Sequence, residues 1–535
     1  MLIEAKSQTD TIATLGRSCT LMANYRKLFC TVIAIGLFIG VIQTSLQASA
    51  EWARAPNQLA HHSDANIVDF TQNLLLSTDD SMYNHHVEVT MVISDNGTLF
   101  AGWKNSETHN GGGARVSFVK SSDGGETWSY PFQMPMFWHS VTSRQSDPWM
   151  AWYDGVLYYA YLEFTDTLSQ ITVANSHDYG TSWHTVQSTF GGGFADKETI
   201  AVGNDGVVYV AYDDIVDNNS TIRLTRSLDE GDSFEAVSVI AESDPGNVAP
   251  YLAVNSANDV YVVWTYINET LGNLYLDASL DQGLTFGEEA FINQDGDYAA
   301  WTTAEGLPAK ITLPVMHFEQ RPEQNDRMYL LWADRFDGAH DTFDVYLRYS
   351  DDYGETWNPR ILINPETNGD QWNPEMAIDS TGRLHIGYYD EQDDFYRLYY
   401  RSLIFTGPSD SIPEFGPVIP VATQNTSSSF TRPGEYFGIQ VDADDIPHVT
   451  WADGRNGEMD IYYARGLRTQ QTEPTGATDT SSQTTTTGTI TELPNGFWSA
   501  VAPFVITTIQ VGAVALFVLA IYVLMRRKPW LLEDH

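Results

Sequence analysis

Apolar and polar residues alternate in short runs along most of the chain, which is the pattern of β-strands. In the run at 208–212, Val208, Val210 and Tyr212 alternate with Tyr209 and Ala211, so both faces of the predicted strand are apolar. Such a strand packs between two other sheets. Seven runs of this kind end in an aromatic residue, at 99–103, 157–161, 208–212, 260–264, 328–332, 384–388 and 447–451. The pattern predicts an all-β chain built from repeated units.

A second repeat follows the first five of these runs. An octapeptide of the form Ser-x-Asp-x-Gly-x-x-(Trp or Phe) begins at residues 121, 176, 227, 279 and 350. In a tight turn the Asp accepts hydrogen bonds from backbone N–H groups, and the Gly supplies a positive φ. The closing aromatic ring covers an apolar layer. Spacings of about 50 residues are typical of propeller blades. We therefore predict a seven-bladed β-propeller of four-stranded blades, with six blades as the alternative.

The octapeptides resemble the Asp box, or BNR repeat, of the sialidase-like propeller superfamily. The first copy reads Ser-Ser-Asp-Gly-Gly-Glu-Thr-Trp from residue 121, and the fifth reads Ser-Asp-Asp-Tyr-Gly-Glu-Thr-Trp from residue 350. For the fold, the resemblance covers residues 72–466. Sialidases clamp the substrate carboxylate with three arginines and use a Tyr nucleophile, a Glu and an Asp acid/base. The Arg-Ile-Pro motif that opens their catalytic domain is absent from this sequence, and seven units exceed the six blades of sialidases.

The two ends of the repeat region complement each other. Residues 72–77 read as a strand with no blade before it, whereas the seventh unit lacks an outer strand. We expect the N-terminal strand to complete the seventh blade, because this closes the ring and leaves no open sheet edge.

The propeller topology separates the repeat motif from the expected functional face. Within a blade, strands A to D run from the axis outward. The D–A and B–C connections share one face, and the Asp boxes, as C–D turns, occupy the other. The boxes are therefore predicted to be structural. On the first face the sequence places candidate acids and candidate ligand-binding residues. The candidate catalytic acids are Asp147, Asp196 and Glu198, and the candidate ligand-binding residues are Arg144, Arg335, Arg432, Arg455 and Trp301.

The physical grounds for these candidates differ. Arginine suits an anionic ligand because its guanidinium binds a carboxylate in bidentate fashion. Trp301 lies in an insertion at 295–310, where its ring is available to stack on a sugar. Paired charges at strand ends are more often salt bridges than catalytic groups. We therefore expect a binding protein rather than an enzyme.

Charge narrows the possible partners. The chain carries 70 Asp and Glu against 28 Lys and Arg, a net charge of −42, which argues against nucleic acid and anionic membrane surfaces as partners. Acidic clusters at Asp213-Asp214 and at 442–445 offer hard oxygen ligands, but none has EF-hand spacing. We expect no cofactor, and a structural Ca²⁺ stays an open alternative.

The termini predict export and anchoring. Residues 1–50 contain both cysteines, Cys19 and Cys30, and an apolar run at 28–41. They are predicted to form a signal peptide cleaved after Ala48-Ser49-Ala50, or an uncleaved signal anchor. Residues 51–71 form a lead-in, 72–466 the propeller, and 467–496 a Thr/Ser-rich stalk. Residues 497–525 are predicted to form a transmembrane helix, because 501–525 carry no charge, and the basic tail 526–535 to lie in the cytoplasm.

These expectations combine into two functional hypotheses. In the first, a single-pass membrane protein presents its propeller outside the cell and binds an extracellular glycan or a surface protein. In the second, the propeller is a sialidase-like glycoside hydrolase acting on extracellular polysaccharide or glycoconjugate. Two carboxyl groups about 5–10 Å apart across the channel mouth would favour the hydrolase.

Overall fold

The computed structural model describes residues 67–78, 83–108, 115–138, 142–268, 271–293, 301–302, 310–311, 313–321, 324–334, 342–407, 412–428 and 433–468. All regular elements in these ranges are β-strands. None of the ranges holds a helix long and apolar enough to cross a membrane. The predicted signal segment, stalk, transmembrane helix and tail lie outside the described residues.

Two short strands, β1 (Ile67–Phe70) and β2 (Leu74–Leu75), precede three regular blades. Each of these blades is an antiparallel sheet of four consecutive strands. Blade 1 contains β3 (His85–Ile93), β4 (Leu99–Ser106), β5 (Arg115–Ser121) and β6 (Phe132–Gln133). Blade 2 contains β7 (Arg144–Tyr153), β8 (Val156–Phe164), β9 (Ser169–Ser176) and β10 (His184–Gln187). Blade 3 contains β11 (Phe194–Val202), β12 (Val208–Val216), β13 (Asn219–Ser227) and β14 (Glu235–Asp244).

Blades 4 and 5 have the same order and are separated by a small hairpin. Blade 4 contains β15 (Asn247–Val254), β16 (Val260–Asn268), β17 (Leu271–Ser279) and β18 (Ala290–Phe291). The hairpin pairs β19 (Trp301–Thr302) with β20 (Lys310–Ile311). Blade 5 contains β21 (Val315–Glu319), β22 (Arg327–Asp334), β23 (Asp344–Ser350) and β24 (Ile361–Leu362).

Blades 6 and 7 complete the ring. Blade 6 contains β25 (Asp370–Ile378), β26 (Leu384–Gln392) and β27 (Phe395–Ile404), with β28 (Glu414–Phe415), β29 (Ile419–Pro420) and β30 (Thr426–Ser427) along its outer edge. Blade 7 contains β31 (Gly438–Val441), β32 (Pro447–Asp453) and β33 (Asp460–Arg468), whose outer edge pairs with β1 and β2. The described residues thus form seven blades, which confirms the predicted fold.

The N-terminal strands close the ring as predicted. In β2, Leu74 is opposite Tyr463, and this strand lies within the expected stretch 72–77. Strand β1 adds a second pairing, with Ile67 opposite Arg468, in the segment that the sequence predicts as a lead-in. Between the two strands, Asn73 Nδ2 donates a hydrogen bond of 2.9 Å to the carbonyl of Val421 in blade 6. The closing segment therefore fastens blades 6 and 7 together.

The aromatic ends of the second strands form the core between blades. All seven are buried, with at most 1% of their surface exposed. They are Trp103, Tyr161, Tyr212, Trp264, Trp332, Tyr388 and Trp451. The alternation in each second strand follows from this position, since both of its faces pack against a neighbouring blade.

The five Asp boxes are C–D turns, on the face predicted for them. In the first, Ser121 Oγ donates to Asp123 Oδ1 at 2.7 Å, and Gly125 N donates to Ser121 Oγ at 3.0 Å. Hydrogen bonds from Thr127, then from Ser121, lower the pKa of Asp123 to about 2. The residue before the Gly of each box also has a positive φ, so each box has two consecutive left-handed residues where the sequence predicts one.

Blades 6 and 7, which have no Asp box, share a different polar contact. His385 Nε2 lies 3.1 Å from Asp379 Oδ2, and its Nδ1 lies 2.7 Å from Tyr400 Oη. In blade 7 the same pattern joins His448 to Asp442 and Tyr463. These triads tie the turn between the first two strands to the third strand of each blade.

Candidate functional site

The innermost strands of five blades share an irregularity at the same level of the channel. Each skips two residues in its pairing with the second strand. The first skipped residue has a positive φ although it is not glycine, and these residues are Glu88, Asp147, Lys197, Ala249 and Asn373. Left-handed conformations cost roughly 1–2 kcal/mol for such residues, and retained strain of this kind clusters at functional sites. The bulges therefore mark one end of the channel, next to the D–A connections, as the candidate site.

Lys197 is the centre of this site. Its Nζ lies 2.9 Å from Asp147 Oδ1 and 3.5 Å from Glu435 Oε1. Glu88 continues the network, because its Oε1 lies 3.2 Å from Lys104 Nζ and its Oε2 accepts a hydrogen bond of 3.2 Å from Asp147 N. The contacts link blades 1, 2, 3 and the start of blade 7 around the axis.

Three further acidic residues lie next to Lys197 in blade 3. Asp196 is directly opposite Asp213 in the pairing of β11 with β12. Asp213 Oδ2 accepts a hydrogen bond of 3.2 Å from Ala249 N in blade 4. Glu198 is completely buried, and neither of its carboxyl oxygens has a hydrogen-bond partner among the described residues. We name the whole set the mouth cluster: Glu88, Lys104, Asp147, Asp196, Lys197, Glu198, Asp213 and Glu435.

Burial and charge divide four acids of the mouth cluster into two groups by the direction of their pKa shifts. Burial raises the pKa of Asp196 to about 6, although Lys197 counteracts it. Burial also raises the pKa of Glu198 and of Asp213 well above their usual values. For Asp147, burial is outweighed by the ammonium groups of Lys197 and Lys104, which lower its pKa. An ionised carboxylate and a carboxyl that titrates near neutral pH therefore share one site.

Aromatic rings close the channel just below the mouth cluster. The Trp149 ring lies 4.6 Å from that of Tyr436 and 5.7 Å from that of Tyr251, measured between centroids. Tyr436 Oη also donates a hydrogen bond of 3.1 Å to the carbonyl of Pro148. Blades 2, 4 and 7 supply these rings and are not neighbours, so the rings meet over the axis. We call Trp149, Tyr251 and Tyr436 the aromatic floor.

The structure brings the three predicted acids together. Asp147, Asp196 and Glu198 all belong to the mouth cluster, as described above. They lie within β7 and β11, where the sequence predicts loops, because the inner strands extend further toward the mouth than expected.

The predicted basic and aromatic residues are distributed differently. Arg144 Nη2 lies 2.6 Å from Asp166 Oδ1, and its guanidinium covers the ring of Phe164. Arg455 binds Asp453, and its Nη1 donates to Asn73 Oδ1 at 2.8 Å, so it belongs to the ring closure. The structure describes only the backbone of Trp301, which is opposite Ile311 in the β19–β20 hairpin. Two further predicted residues, Arg335 and Arg432, lie outside the described residues.

Sequence reasoning missed Lys197 as the centre of the site and the roles of Glu88, Lys104, Trp149 and Tyr436. One signal in the sequence marks their level. Proline is the second skipped residue in three of the five bulges, at positions 148, 250 and 374. Proline cannot donate a ladder hydrogen bond and is found in strands at bulges.

The acidic clusters proposed as calcium ligands have protein partners. Asp214 Oδ2 accepts from Arg223 Nε at 2.6 Å, and Asp442 binds His448. Across the described ranges, no group of three or more His, Cys, Asp or Glu residues is arranged to hold a metal ion.

Comparison with known proteins supports the repeat. The BNR/Asp-box repeat family matches residues 348–359, which include the fifth box. A Dyadobacter fermentans protein of unknown function is 15% identical, with a TM-score of 0.44 over 61% of this chain and 94% of that one. The α-L-arabinofuranosidase of Fusarium graminearum, solved with arabinobiose, is 14% identical over 75% of this chain and 98% of that one, with a TM-score of 0.41.

Trypanosoma rangeli sialidase, solved with the inhibitor DANA, is 13% identical over 62% of this chain and 58% of that one, with a TM-score of 0.41. No curated protein sequence matches the chain. The repeat match confirms the predicted Asp-box resemblance, and the seven observed blades confirm the predicted propeller.

Proposed function

We propose that this protein is a membrane-anchored cell-surface propeller that binds an extracellular glycan at the mouth cluster. The observation that carries the proposal is the position of Lys197 between the carboxylates of Asp147 and Glu435, at one end of the channel. The rings of Trp149 and Tyr436, which follow these two acids in the sequence, contact each other across the channel. Ligand sites combine a few oriented polar groups with apolar or aromatic walls. Hydroxyl groups of a sugar would donate hydrogen bonds to the carboxylates and accept them from the ammonium group, while one face of the sugar ring would stack on the aromatic floor.

The charge of the mouth cluster bears on the kind of glycan. Among the described residues it contains six carboxyl groups and two ammonium groups, and both lysines already face carboxylates. A sugar carboxylate would meet repulsion here, because like charges in a partly buried site disfavour one another. The mouth cluster therefore suits a neutral or amino sugar better than sialic acid, and we expect no efficient hydrolysis of a fluorogenic sialoside.

A glycan array probed with the full-length protein in non-ionic detergent tests the proposal. Lys197→Met should abolish binding of the glycans that the native protein retains, because it removes the ammonium group at the centre of the site. Lys120→Met is the matched control, since Lys120 Nζ donates to the carbonyl of Tyr179 on the opposite face. If the protein binds no glycan on the array but does bind another cell-surface protein, the protein-binding form of the hypothesis is favoured instead. Binding that survives Lys197→Met would exclude the mouth cluster.

Glycoside hydrolysis is the second candidate function, and one observation favours it. Asp196, with its pKa raised to about 6, and Asp147, with its pKa lowered, occupy the same cluster. Two carboxyl groups with pKa values displaced in opposite directions are the usual arrangement of an acid and its ionised partner in glycosidases. Release of reducing sugar from arabinan or other neutral polysaccharides, lost in both Asp196→Asn and Asp147→Asn, would establish the enzyme. Binding without release would favour the first function.

The membrane location is part of the proposal and rests on the sequence. A propeller outside the cell and a tail inside it predict that protease added to intact cells sheds a propeller-sized fragment. Protection of the propeller, with cleavage of the last ten residues, would show the opposite orientation.

A further inference from the structure

A separate cavity of about 290 Å³ occupies the channel below the aromatic floor. It is lined by residues further along the inner strands than the mouth cluster, including Trp149 and Tyr251 of the aromatic floor. Phe318 and Phe437 add two more aromatic walls. The volume is near the lower limit of known small-molecule sites, which are about 300–1,000 Å³. The cavity is thus large enough for a small organic ligand.

Among the described residues, Glu375 is the only carboxylic acid at its level of the inner strands. The residues at the equivalent register position in the other blades carry no carboxyl, ammonium or guanidinium group, and the hydroxyl group of the tyrosine is their only titratable group. They are Thr90, Trp149, Thr199, Tyr251, Val315 and Gly438. Glu375 lines the cavity and only 6% of its surface is exposed. Among the described residues, its carboxyl group has no hydrogen-bond or ion-pair partner.

Among the described residues that line the cavity, none is a lysine or an arginine. Burial lowers the pKa of His317 to about 4, so this imidazole is neutral, and its Nε2 lies 3.2 Å from Tyr251 Oη. Tyr251 and Glu375 both line the cavity, and burial and then the charge of Glu375 raise the pKa of Tyr251. Burial raises the pKa of Glu375 itself. A buried carboxylate without a partner is costly, so a bound cation would stabilise the ionised form.

We propose that this cavity binds a small organic ammonium ion. The ammonium group would lie against the carboxylate of Glu375, and its alkyl groups against the rings of Trp149, Tyr251 and Phe437. Carboxylates and aromatic faces together are the arrangement that recognises quaternary and methylated ammonium groups. The site differs from the mouth cluster in its residues and in its ligand, and the aromatic floor separates the two.

Isothermal titration calorimetry of the full-length protein with choline tests the proposal. Dimethylbutanol, the neutral carbon isostere of choline, serves as the matched ligand and should bind much more weakly. Glu375→Gln keeps the shape of the side chain and removes its charge, and should weaken choline binding by roughly 10- to 100-fold, the effect of losing a contact to a charged group. Glu366→Gln is the control variant, because it removes an exposed carboxylate from the segment leading into the same blade.

Three outcomes would overturn the proposal. They are no binding of choline by the native protein, equal affinity for choline and its neutral isostere, and unchanged affinity in Glu375→Gln. If Glu375→Gln fails to fold, as judged by circular dichroism, the comparison of choline with its neutral isostere on the native protein still tests the proposal. Glycan binding at the mouth cluster does not involve Glu375, so a negative result here leaves the proposed function standing.

Discussion

The rings of Trp149 and Tyr436 lie 4.6 Å apart although the two residues come from blades 2 and 7. Their contact spans the channel and divides it into the mouth cluster above and the cavity of Glu375 below. Because the rings belong to different parts of the sequence, they also connect blades that share no strand pairing. The aromatic floor is therefore expected to contribute to stability as well as to the shape of both sites.

Replacement of Trp149 by alanine should lower the free energy of unfolding by about 3 kcal/mol, the usual range for removing a large packed aromatic side chain. Tyr436→Phe should cost only about 1 kcal/mol, because it removes the hydrogen bond to Pro148 and keeps the ring. Urea denaturation of the two variants measures the difference. Equal losses of stability in the two variants would show that the aromatic floor is stabilised by the hydroxyl group of Tyr436 and not by ring packing.

The ring closure predicts unequal roles for two arginines. Arg455 and Asp453 are both buried, and Arg455 also holds Asn73 of the closing segment. Arg455→Ala should destabilise the propeller by about 3–5 kcal/mol, since it leaves Asp453 buried without its partner. Arg144→Ala is the control, because Asp166, its partner, is exposed; an effect under about 1 kcal/mol is expected. Similar melting temperatures for the two variants would contradict this account of the closure.

Two glycines with similar backbone conformations allow the cost of backbone strain to be measured apart from the cost of a steric clash. Gly97 and Gly125 have φ values of 81° and 87°. A Cβ atom at Gly97 would meet no atom within 4 Å, whereas at Gly125 it would overlap the ring of Tyr463. Gly97→Ala should cost about 1–2 kcal/mol from the left-handed backbone alone. Gly125→Ala should cost clearly more, because the Asp box must also move away from blade 7, and thermal denaturation would show the order.

The Asp379–His385 pair predicts a pH dependence in the acid range. Hydrogen bonds from His385 and Thr381 outweigh burial and lower the pKa of Asp379 to about 2. A carboxyl with a lowered pKa in the folded state contributes stability that is fully present above its unfolded pKa, near 3.8, and is lost as the pH falls through about 2. The stability difference between the native protein and Asp379→Asn should therefore shrink over that window. Glu355→Gln, an exposed substitution, should show no such trend in urea titrations at each pH.

The sequence predicts the blades well because their determinants are local. Each aromatic-ended strand and each Asp box lies within a few residues, so the repeat is visible by inspection. The mouth cluster is different, because Lys197 meets Asp147 from the preceding blade and Glu435 from the far end of the propeller. Arg455 shows the same limit, since its partner Asn73 is 382 residues away. No spacing rule connects such residues, and only the closed ring brings them together.

The closure of blade 7 also sets the order of events during synthesis. Thr71 Oγ1 accepts a hydrogen bond from Arg465 N, 394 residues later in the chain. At about 5–20 residues per second, the segment around β1 and β2 leaves the ribosome roughly 20–80 s before its partner strand exists. During that interval the first-made strands have no native partner, so a ribosome that stalls before β33 leaves an open ring. Blade 7 can therefore close only after β33 has been made.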